Sequence, residues 1–420
     1  MSQSSVRKSL FFNVSSNLFS QLVSIIFIPI LSRLYAPEQF GEVAFFLGIS
    51  SCIIAVSSLR LSITIPIAEN NNTKGIAFAL SSVFIFGTTA LIVMITQYTP
   101  FFFIIGIDSV SYLIAPYVLI VSLNGVLVNI LISNGNYNFI GGSKLVTAVF
   151  LNLFRLVFFS FGLSDGLVYS LLISEVAAFF MLLLGSGKSL ALFVKSLEWS
   201  VSPYLRFLYD FKDYPKYQVI SQLVLIGTQY APVFVLSATF DASFVGLYAM
   251  ANNLVNLPVN SIGLALSQIY LGEYIKVENR NKILPHSIWI VLIFIVCSLP
   301  FLFIMGVWGT ELTRFFLGEQ WVDSAPIISL LIFLGVSKLC MSIISQSLNI
   351  FRAQRLQLAI NILFFMLSYM SLYFAIQLGF DFYDTILVYT VSGSGALFFG
   401  IFLVLFNIRE NLSNECCVHR

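Results

Sequence analysis

Ile288-Trp289-Ile290-Val291-Leu292-Ile293-Phe294-Ile295-Val296-Cys297-Ser298-Leu299-Pro300-Phe301-Leu302-Phe303-Ile304-Met305-Gly306-Val307 runs for twenty residues without a charged side chain. A bilayer core about 30 Å thick is crossed by roughly 20 apolar residues of helix, and backbone groups inside it are satisfied only in helices or closed barrels. Outward from this stretch, the chain from Leu10 to Asn407 divides into twelve such spans. They cover residues 10–32, 39–60, 75–97, 110–133, 145–162, 166–186, 216–240, 243–270, 285–307, 324–346, 357–378 and 383–407. Each is too long for a barrel strand, and no segment between them is large enough for a soluble domain. The expected fold class is therefore an all-α integral membrane protein.

Composition agrees. Apolar residues make up 58% and charged residues 10% of the 420 positions, against about 25% charged in soluble domains. Of the 21 Lys and Arg, seventeen fall at one set of span ends: Arg7, Lys8, Arg60, Lys74, Lys144, Lys188, Lys195, Arg206, Lys212, Lys216, Lys276, Arg280, Lys282, Arg352, Arg355, Arg409 and Arg420. Arg33 and Arg314 alone occupy the opposite ends, where Glu38, Asp108, Asp165, Asp241, Glu311, Glu319, Asp323, Asp381 and Asp384 gather. Short cytoplasmic loops are enriched in positive charge, so both termini are expected inside. The first span is too long for a signal-peptide core and reads as retained.

The net charge of +2 is spread over many loops and implies no nucleic-acid partner. Cys52, Cys297 and Cys340 lie within spans and Cys416-Cys417 on the inner tail, with neither metal-ligand spacing nor a disulfide framework. The two histidines, His286 and His419, cannot assemble a catalytic triad or a metal cluster, and no phosphate-binding glycine loop is present. Gly393 and Gly395 lie within the last span and read as packing positions. The chain reads as a non-enzyme with no cofactor, and an ATP-driven pump is excluded.

The longest inner loop, about residues 187–215, divides the spans six and six. Residues 1–213 are expected to form an N-terminal six-helix lobe with its linker, and residues 214–420 a C-terminal lobe with a short tail. Ser20-Gln21-Leu22-Val23 recurs as Ser221-Gln222-Leu223-Val224, Pro29 as Pro232, and Phe40-Gly41-Glu42-Val43-Ala44 as Val245-Gly246-Leu247-Tyr248-Ala249. Copies separated by six spans run in the same direction, as in parallel transporter repeats.

Four spans carry polar stripes at helical spacing. The first has Asn13, Asn17, Ser20 and Ser24 with Gln21 beside them; the seventh has Gln218, Gln222 and Gln229; the eighth has Asn253, Asn256, Asn260 and Ser267; the tenth has Lys338, Ser342, Ser345 and Asn349. Serines and amides can join packed membrane helices at about 0.6 kcal/mol each. Amides concentrated at corresponding places in two halves point instead to a wet cavity. Arg155, Glu175 and Lys338 fall inside spans, where a charge costs roughly 2.5 to 3.5 kcal/mol on insertion scales. Arg155 and Glu175 lie ten residues either side of Asp165, at similar depth, so they either pair or line the cavity. Lys338 has no acid in its own hairpin and reads as a luminal cation for an anion.

Several motifs in order resemble the polysaccharide flippases that export lipid-linked repeat units for O-antigen and capsule. They are Pro29-Ile30-Leu31-Ser32-Arg33-Leu34-Tyr35-Ala36-Pro37-Glu38-Gln39-Phe40-Gly41, Leu59-Arg60 through Ile65-Pro66, Pro215-Lys216-Tyr217-Gln218, Gly246-Leu247-Tyr248-Ala249-Met250-Ala251-Asn252 through Leu257-Pro258, Leu317-Gly318-Glu319-Gln320-Trp321 to Ala325, and Arg352-Ala353-Gln354-Arg355. Leu61 and Ser62 stand where relatives often have Tyr-Glu, and the segment from Asn134 to Lys144 is poorer in charge than its usual counterpart.

The resemblance implies the superfamily of multidrug (MATE) exporters and lipid II flippases: two six-helix lobes around a central V-shaped cavity. It also implies a polyprenyl-pyrophosphate-linked oligosaccharide substrate, carried from the inner to the outer leaflet of the bacterial inner membrane by alternating access. The pyrophosphate would be drawn by Lys338, Arg155 and Arg60, with Glu175, Asn13, Asn17, Gln21, Gln222, Asn253, Asn256, Asn260 and Ser342 completing the cavity. Membrane lipids, a coupling ion (H+ or Na+) and other polysaccharide-assembly membrane proteins are the further partners implied. The alternative is a cation-coupled exporter of drugs or metabolites, which would favour a lumen with unpaired carboxylates. A membrane glycosyltransferase would carry a sizeable outer loop with catalytic acids, whereas the longest here, about residues 308–323, is small.

Overall fold

Burying a backbone in hydrocarbon forces its N–H and C=O groups to pair within the same segment, and each apolar run answers by closing into helix. A computed structural model describes residues 3–68, 70–98, 108–197, 200–212, 214–274, 282–351 and 353–418, with side chains described for 12–68, 70–98, 110–197, 200–212, 214–274, 282–351 and 353–412. The side chains of Arg7, Lys8, Asp108, Lys276, Arg280, Arg352, Cys416, Cys417, His419 and Arg420 lie outside the described residues.

Among the described residues, twelve helices are long and apolar enough to cross a membrane. In the first half these are α1 (Gln3–Leu34), α2 (Pro37–Ser57), α3 (Asn71–Tyr98), α4 (Ile114–Ser133), α5 (Tyr137–Ser160) and α6 (Gly166–Lys195). A short helix α7 (Ser202–Asp210) follows, then α8 (Val219–Ser237), α9 (Ala242–Tyr274), α10 (Ile283–Leu317), α11 (Ala325–Ile344), the short α12 (Gln346–Ile350), α13 (Gln354–Gln377) and α14 (Phe382–Val418). Several outrun their apolar spans. α5 begins at Tyr137 rather than residue 145, and α10 reaches Leu317 only across a kink at Trp308, directly after Val307 where the apolar span stops. Hydropathy marks the part of a helix that sits in hydrocarbon, while the helix itself continues into its polar ends.

Packing groups the chain into two units, Met1–Tyr35 with Glu42–Gly227 and Ala36–Gly41 with Thr228–Arg420. The division falls inside α8 and places Val219–Gly227 with the first unit, whereas the linker in the sequence ends near residue 213. In the first unit α5 packs on α6, α1 on α5, α4 on α6, and α3 on both α4 and α6. In the second, α13 packs on α14, α11 on α14, α10 on both α11 and α14, and α9 on α11. With α10, α11, α13 and α14 standing for α3, α4, α5 and α6, the four contacts within each set recur, whereas those of α1 on α5 and of α9 on α11 have no counterpart among the described residues.

The hairpin turns repeat too. Gly162 after α5 and Gly379 after α13 both take positive φ, 67° and 74°, a conformation only glycine reaches without cost. Each closes its helix the same way: Leu163 N–H donates to the Phe158 carbonyl at 3.1 Å and Phe380 N–H to the Ala375 carbonyl at 3.1 Å, the six-to-one bond of a Schellman cap.

Within the second unit, the start of α2 meets the start of α9 at the two glycines of the repeated motif. A Cβ on Gly41 would overlap the Ala242 carbonyl, and one on Gly246 the Pro37 carbonyl. Backbone against backbone leaves no side chain to move aside. Overpacking of this kind costs about 1 to 3 kcal/mol, so Gly246→Val is expected to lower the apparent Tm of the detergent-purified protein by several degrees. Gly87→Ala, where a Cβ would meet nothing within 4 Å, is expected to leave it within about 1 kcal/mol of wild type.

Candidate functional site

In the first unit, the chain leaves α2 through Leu59 and Arg60, both in the left-handed region at φ 48° and 59°. Such a backbone costs a non-glycine residue roughly 1 to 2 kcal/mol, and it is offset here by burial of Leu61 and Ile65 in the core that follows. The turn aims the Arg60 side chain at α8, where Nη2 donates to Gln222 Oε1 at 2.9 Å. Its Nε is buried without an acceptor. Burial lowers the proton affinity of this guanidinium from its ordinary value, and no carboxylate lies within ion-pair distance of it among the described residues.

Glu175 on α6 turns toward α4. Asn124 Nδ2 donates to Glu175 Oε2 at 2.9 Å and to the Glu175 carbonyl at 3.0 Å, while Asn124 Oδ1 is buried with no donor. Arg155 instead lies near the end of α5, five residues before Ser160. The Tyr35 hydroxyl donates to the Arg155 carbonyl at 2.6 Å, and burial pushes that phenol up while the positive charge of Arg155 pulls it part of the way back. Arg155 Nε is buried without a partner. The expected alternative of an Arg155–Glu175 pair is therefore not formed: Arg155 lies five residues before the end of α5 whereas Glu175 lies nine residues past the start of α6, and Glu175 turns to Asn124 on α4.

The α1 stripe splits. Ser20 and Ser24 return their hydroxyls to the carbonyls of Ser16 and Ser20 at 2.8 and 3.0 Å, which is local helix satisfaction. Asn13 lies where α1 crosses Gly141 of α5, since a Cβ on Gly141 would stand 3.0 Å from Asn13 Cα. Asn13 Oδ1 and Gln21 Oε1 are both buried without donors, and Asn17 is partly buried.

In the second unit, α9 exposes Asn253 and Asn260, while Asn256 donates to Asn252 Oδ1 at 2.5 Å. Facing it on α11 are Gly335, whose Cβ would meet Val255 and Val259, and Ser342, which lies against Gly263. Lys338 sits between these two, one turn from each, so it lies along the α9-facing edge of α11. It is partly exposed, and among the described residues no acid pairs with it. In the first unit Arg60 thus bonds Gln222, Glu175 bonds Asn124 and the Arg155 carbonyl accepts from Tyr35, while in the second Lys338 and Ser342 lie along the edge of α11 that packs on α9, and Asn253 and Asn260 are exposed. Asn124 and Tyr35 are not marked by the polar stripes of the sequence: Asn124 shares its helix with Ser122 and Asn129 without a helical repeat, and Tyr35 lies just beyond the end of its helix. Among the described residues, no three His, Cys, Asp or Glu side chains converge as a metal cluster.

The family described as polysaccharide biosynthesis protein matches residues 30–326, and the chain belongs to it. No protein of curated function matches significantly. Among solved structures, the chain is similar to a multidrug resistance MATE family transporter of the MOP superfamily in its inward-facing conformation, with a TM-score of 0.72 at 13% identity over 95% of this chain and 98% of the other. It is similar to the lipid II flippase MurJ, with a TM-score of 0.71 at 13% identity over 95% of this chain and 87% of the other. A mutant of the Vibrio cholerae MATE transporter VcmN gives 0.57 at 15% identity over 98% of both chains. At these identities the likeness concerns the fold: a multi-pass, all-helical membrane protein of the MATE-like architecture.

Because Arg155 and Glu175 take different partners, their effects on stability should add. In a double-mutant cycle of Arg155→Ala and Glu175→Ala, read by thermal unfolding of the purified protein, the coupling energy is expected to stay below about 0.5 kcal/mol. A coupling of about 3 kcal/mol or more, as for a buried ion pair, would contradict the arrangement.

Proposed function

We propose that this protein flips polyprenyl-pyrophosphate-linked oligosaccharide repeat units from the inner to the outer leaflet of the bacterial inner membrane, with both termini cytoplasmic and alternating access of its two lobes as the mechanism. The observation that carries the reading is the set of three cations in or beside the spans, Arg60, Arg155 and Lys338, none of which has a carboxylate partner among the described residues. A positive charge at membrane depth that has no counter-charge in the protein favours a ligand that brings one, and a pyrophosphate brings at least two.

The sugar poses the complementary problem. Each hydroxyl carried through hydrocarbon without a hydrogen-bond partner costs several kcal/mol. The exposed amides Asn253 and Asn260, and Gln229 on α8, supply donors and acceptors that tolerate many sugar geometries, while the polyprenyl tail stays in lipid. Membership in the polysaccharide biosynthesis family and the likeness to a lipid II flippase support the same substrate class. Export of a cationic drug or metabolite remains the second reading, and Glu175, with an amide rather than a cation beside it, is the observation in its favour. One carboxylate against three cations places it second.

Deletion in a polysaccharide-producing host should make lipid-linked repeat units accumulate on the inner leaflet; normal surface polysaccharide with no accumulation would contradict the proposal. In complementation at matched protein abundance, Lys338→Gln is expected to lower export at least tenfold and Lys338→Arg to retain more. Wild-type export by Lys338→Gln would reduce that lysine and its stripe to packing.

A further inference from the structure

Helix α7 lies in sequence between two membrane-crossing helices, one ending at Lys195 and the next opening at Tyr214. It has a wide apolar arc. One part of that arc is used by the protein: Phe207 is buried in the core formed with Leu61, Ile65, Ala77 and Phe193, and Leu208 and Phe211 pack on the same cluster. The next part is not covered. Val201, Leu205 and Tyr209, spaced four residues apart and therefore stacked along one side of the helix, are 67%, 62% and 70% exposed. Beyond them lies a polar edge with Ser202, Arg206 and Asp210, where Arg206 faces Asp210 at 3.9 Å with both side chains largely in the open.

Three sectors in that order (core-packed, apolar but uncovered, charged) are what a helix shows when it lies half sunk at a bilayer surface. The basic groups follow the same line. Lys212 Nζ lies over the Tyr209 ring at 4.3 Å and Lys216 Nζ over the Tyr217 ring at 5.0 Å. That holds both ammonium groups beside the aromatic edge, and neither has a carboxylate partner among the described residues. Lys188 and Lys195, exposed on the last turns of α6, extend the basic strip. Tyrosines with adjoining lysines favour the headgroup level, and each basic residue near an anionic membrane surface is worth about fivefold in affinity.

We infer that α7, together with Lys212 and Lys216 beyond it, is an interfacial anchor that inserts Val201, Leu205 and Tyr209 into the acyl boundary and binds anionic phospholipid headgroups through Arg206, Lys212 and Lys216. The partner is the bilayer itself, in particular a headgroup such as phosphatidylglycerol. This anchor is separate from the three cations assigned to the substrate and stands whether or not that assignment does.

The test uses the full-length chain with its native cysteines replaced, reconstituted in nanodiscs of phosphatidylcholine and phosphatidylglycerol, with an environment-sensitive fluorophore on Leu205→Cys or, in a parallel sample, on Ser202→Cys. Shallow spin-labelled lipid is expected to quench the probe at position 205 at least threefold more than the probe at 202. Spin-labelled phosphatidylglycerol should quench position 205 at least twofold more than spin-labelled phosphatidylcholine, and that preference should vanish in the Arg206→Gln, Lys212→Gln, Lys216→Gln variant, whose changes are all on exposed side chains and should leave Tm unchanged. Equal quenching at 202 and 205 would overturn the insertion, and equal quenching by the two lipids, or a preference that survives the triple change, would overturn the headgroup assignment.

Discussion

A charge in a hydrocarbon layer needs a counter-charge, a polar partner or water, and among the described residues no acid pairs with the embedded cations of this chain. Arg155 and Lys338 each sit within a membrane-crossing helix, and neither meets an acid among the described residues. A lone cation there costs a few kcal/mol on insertion scales, a large fraction of the net stability of a typical domain. The rest of the protein can be read as the means of holding that cost: α5 is fixed by the Tyr35 hydroxyl on the Arg155 carbonyl, and α11 by close packing of Gly335 and Ser342 on α9. Among the described residues no carboxylate meets either charge, and an anionic ligand would supply the counter-charge.

The bilayer also explains why the same solutions appear twice. Every span must satisfy its own backbone, so the variables left are where helices turn and how closely they approach. Both are settled by glycine at matched places. Gly162 and Gly379 end the corresponding helices with the same Schellman bond, and Gly41 and Gly246 allow backbones to meet where a methyl group would not fit. The short motif containing those last two residues carried the repeat in the sequence, and their close approach gives a physical reason for glycine at both positions.

Hydropathy alone was enough to place the twelve helices, because length and apolarity are imposed by membrane thickness. It missed their ends, as at Tyr137, because helix persists past the hydrocarbon boundary, and it missed the kink at Trp308 that carries α10 on to Leu317. Periodicity found the stripes on α1, α9 and α11 but could not say what each polar group meets: Ser20 and Ser24 return to their own backbone, Asn13 faces the close crossing with α5, and Asn253 and Asn260 are open. Equal depth suggested a pair between Arg155 and Glu175, yet depth fixes only one coordinate. Glu175 turns to Asn124, and Arg155 lies beside Tyr35. The meaning of Asn124 and Tyr35 depends on a neighbour some 50 to 120 positions away, and nothing local in the sequence points to it.

The central claim is that these cations serve an anionic lipid-linked glycan, and the most direct measurement is leaflet exchange by the purified protein. In proteoliposomes loaded symmetrically with a fluorescent polyprenyl-pyrophosphate oligosaccharide, an external glycosidase reaches only the outer-leaflet half of the substrate unless the protein moves the remainder. The account predicts near-complete digestion with the wild-type protein, and a return toward half with Lys338→Gln at equal protein density. Digestion that stops at half with wild-type protein, with any imposed H+ or Na+ gradient, would contradict it.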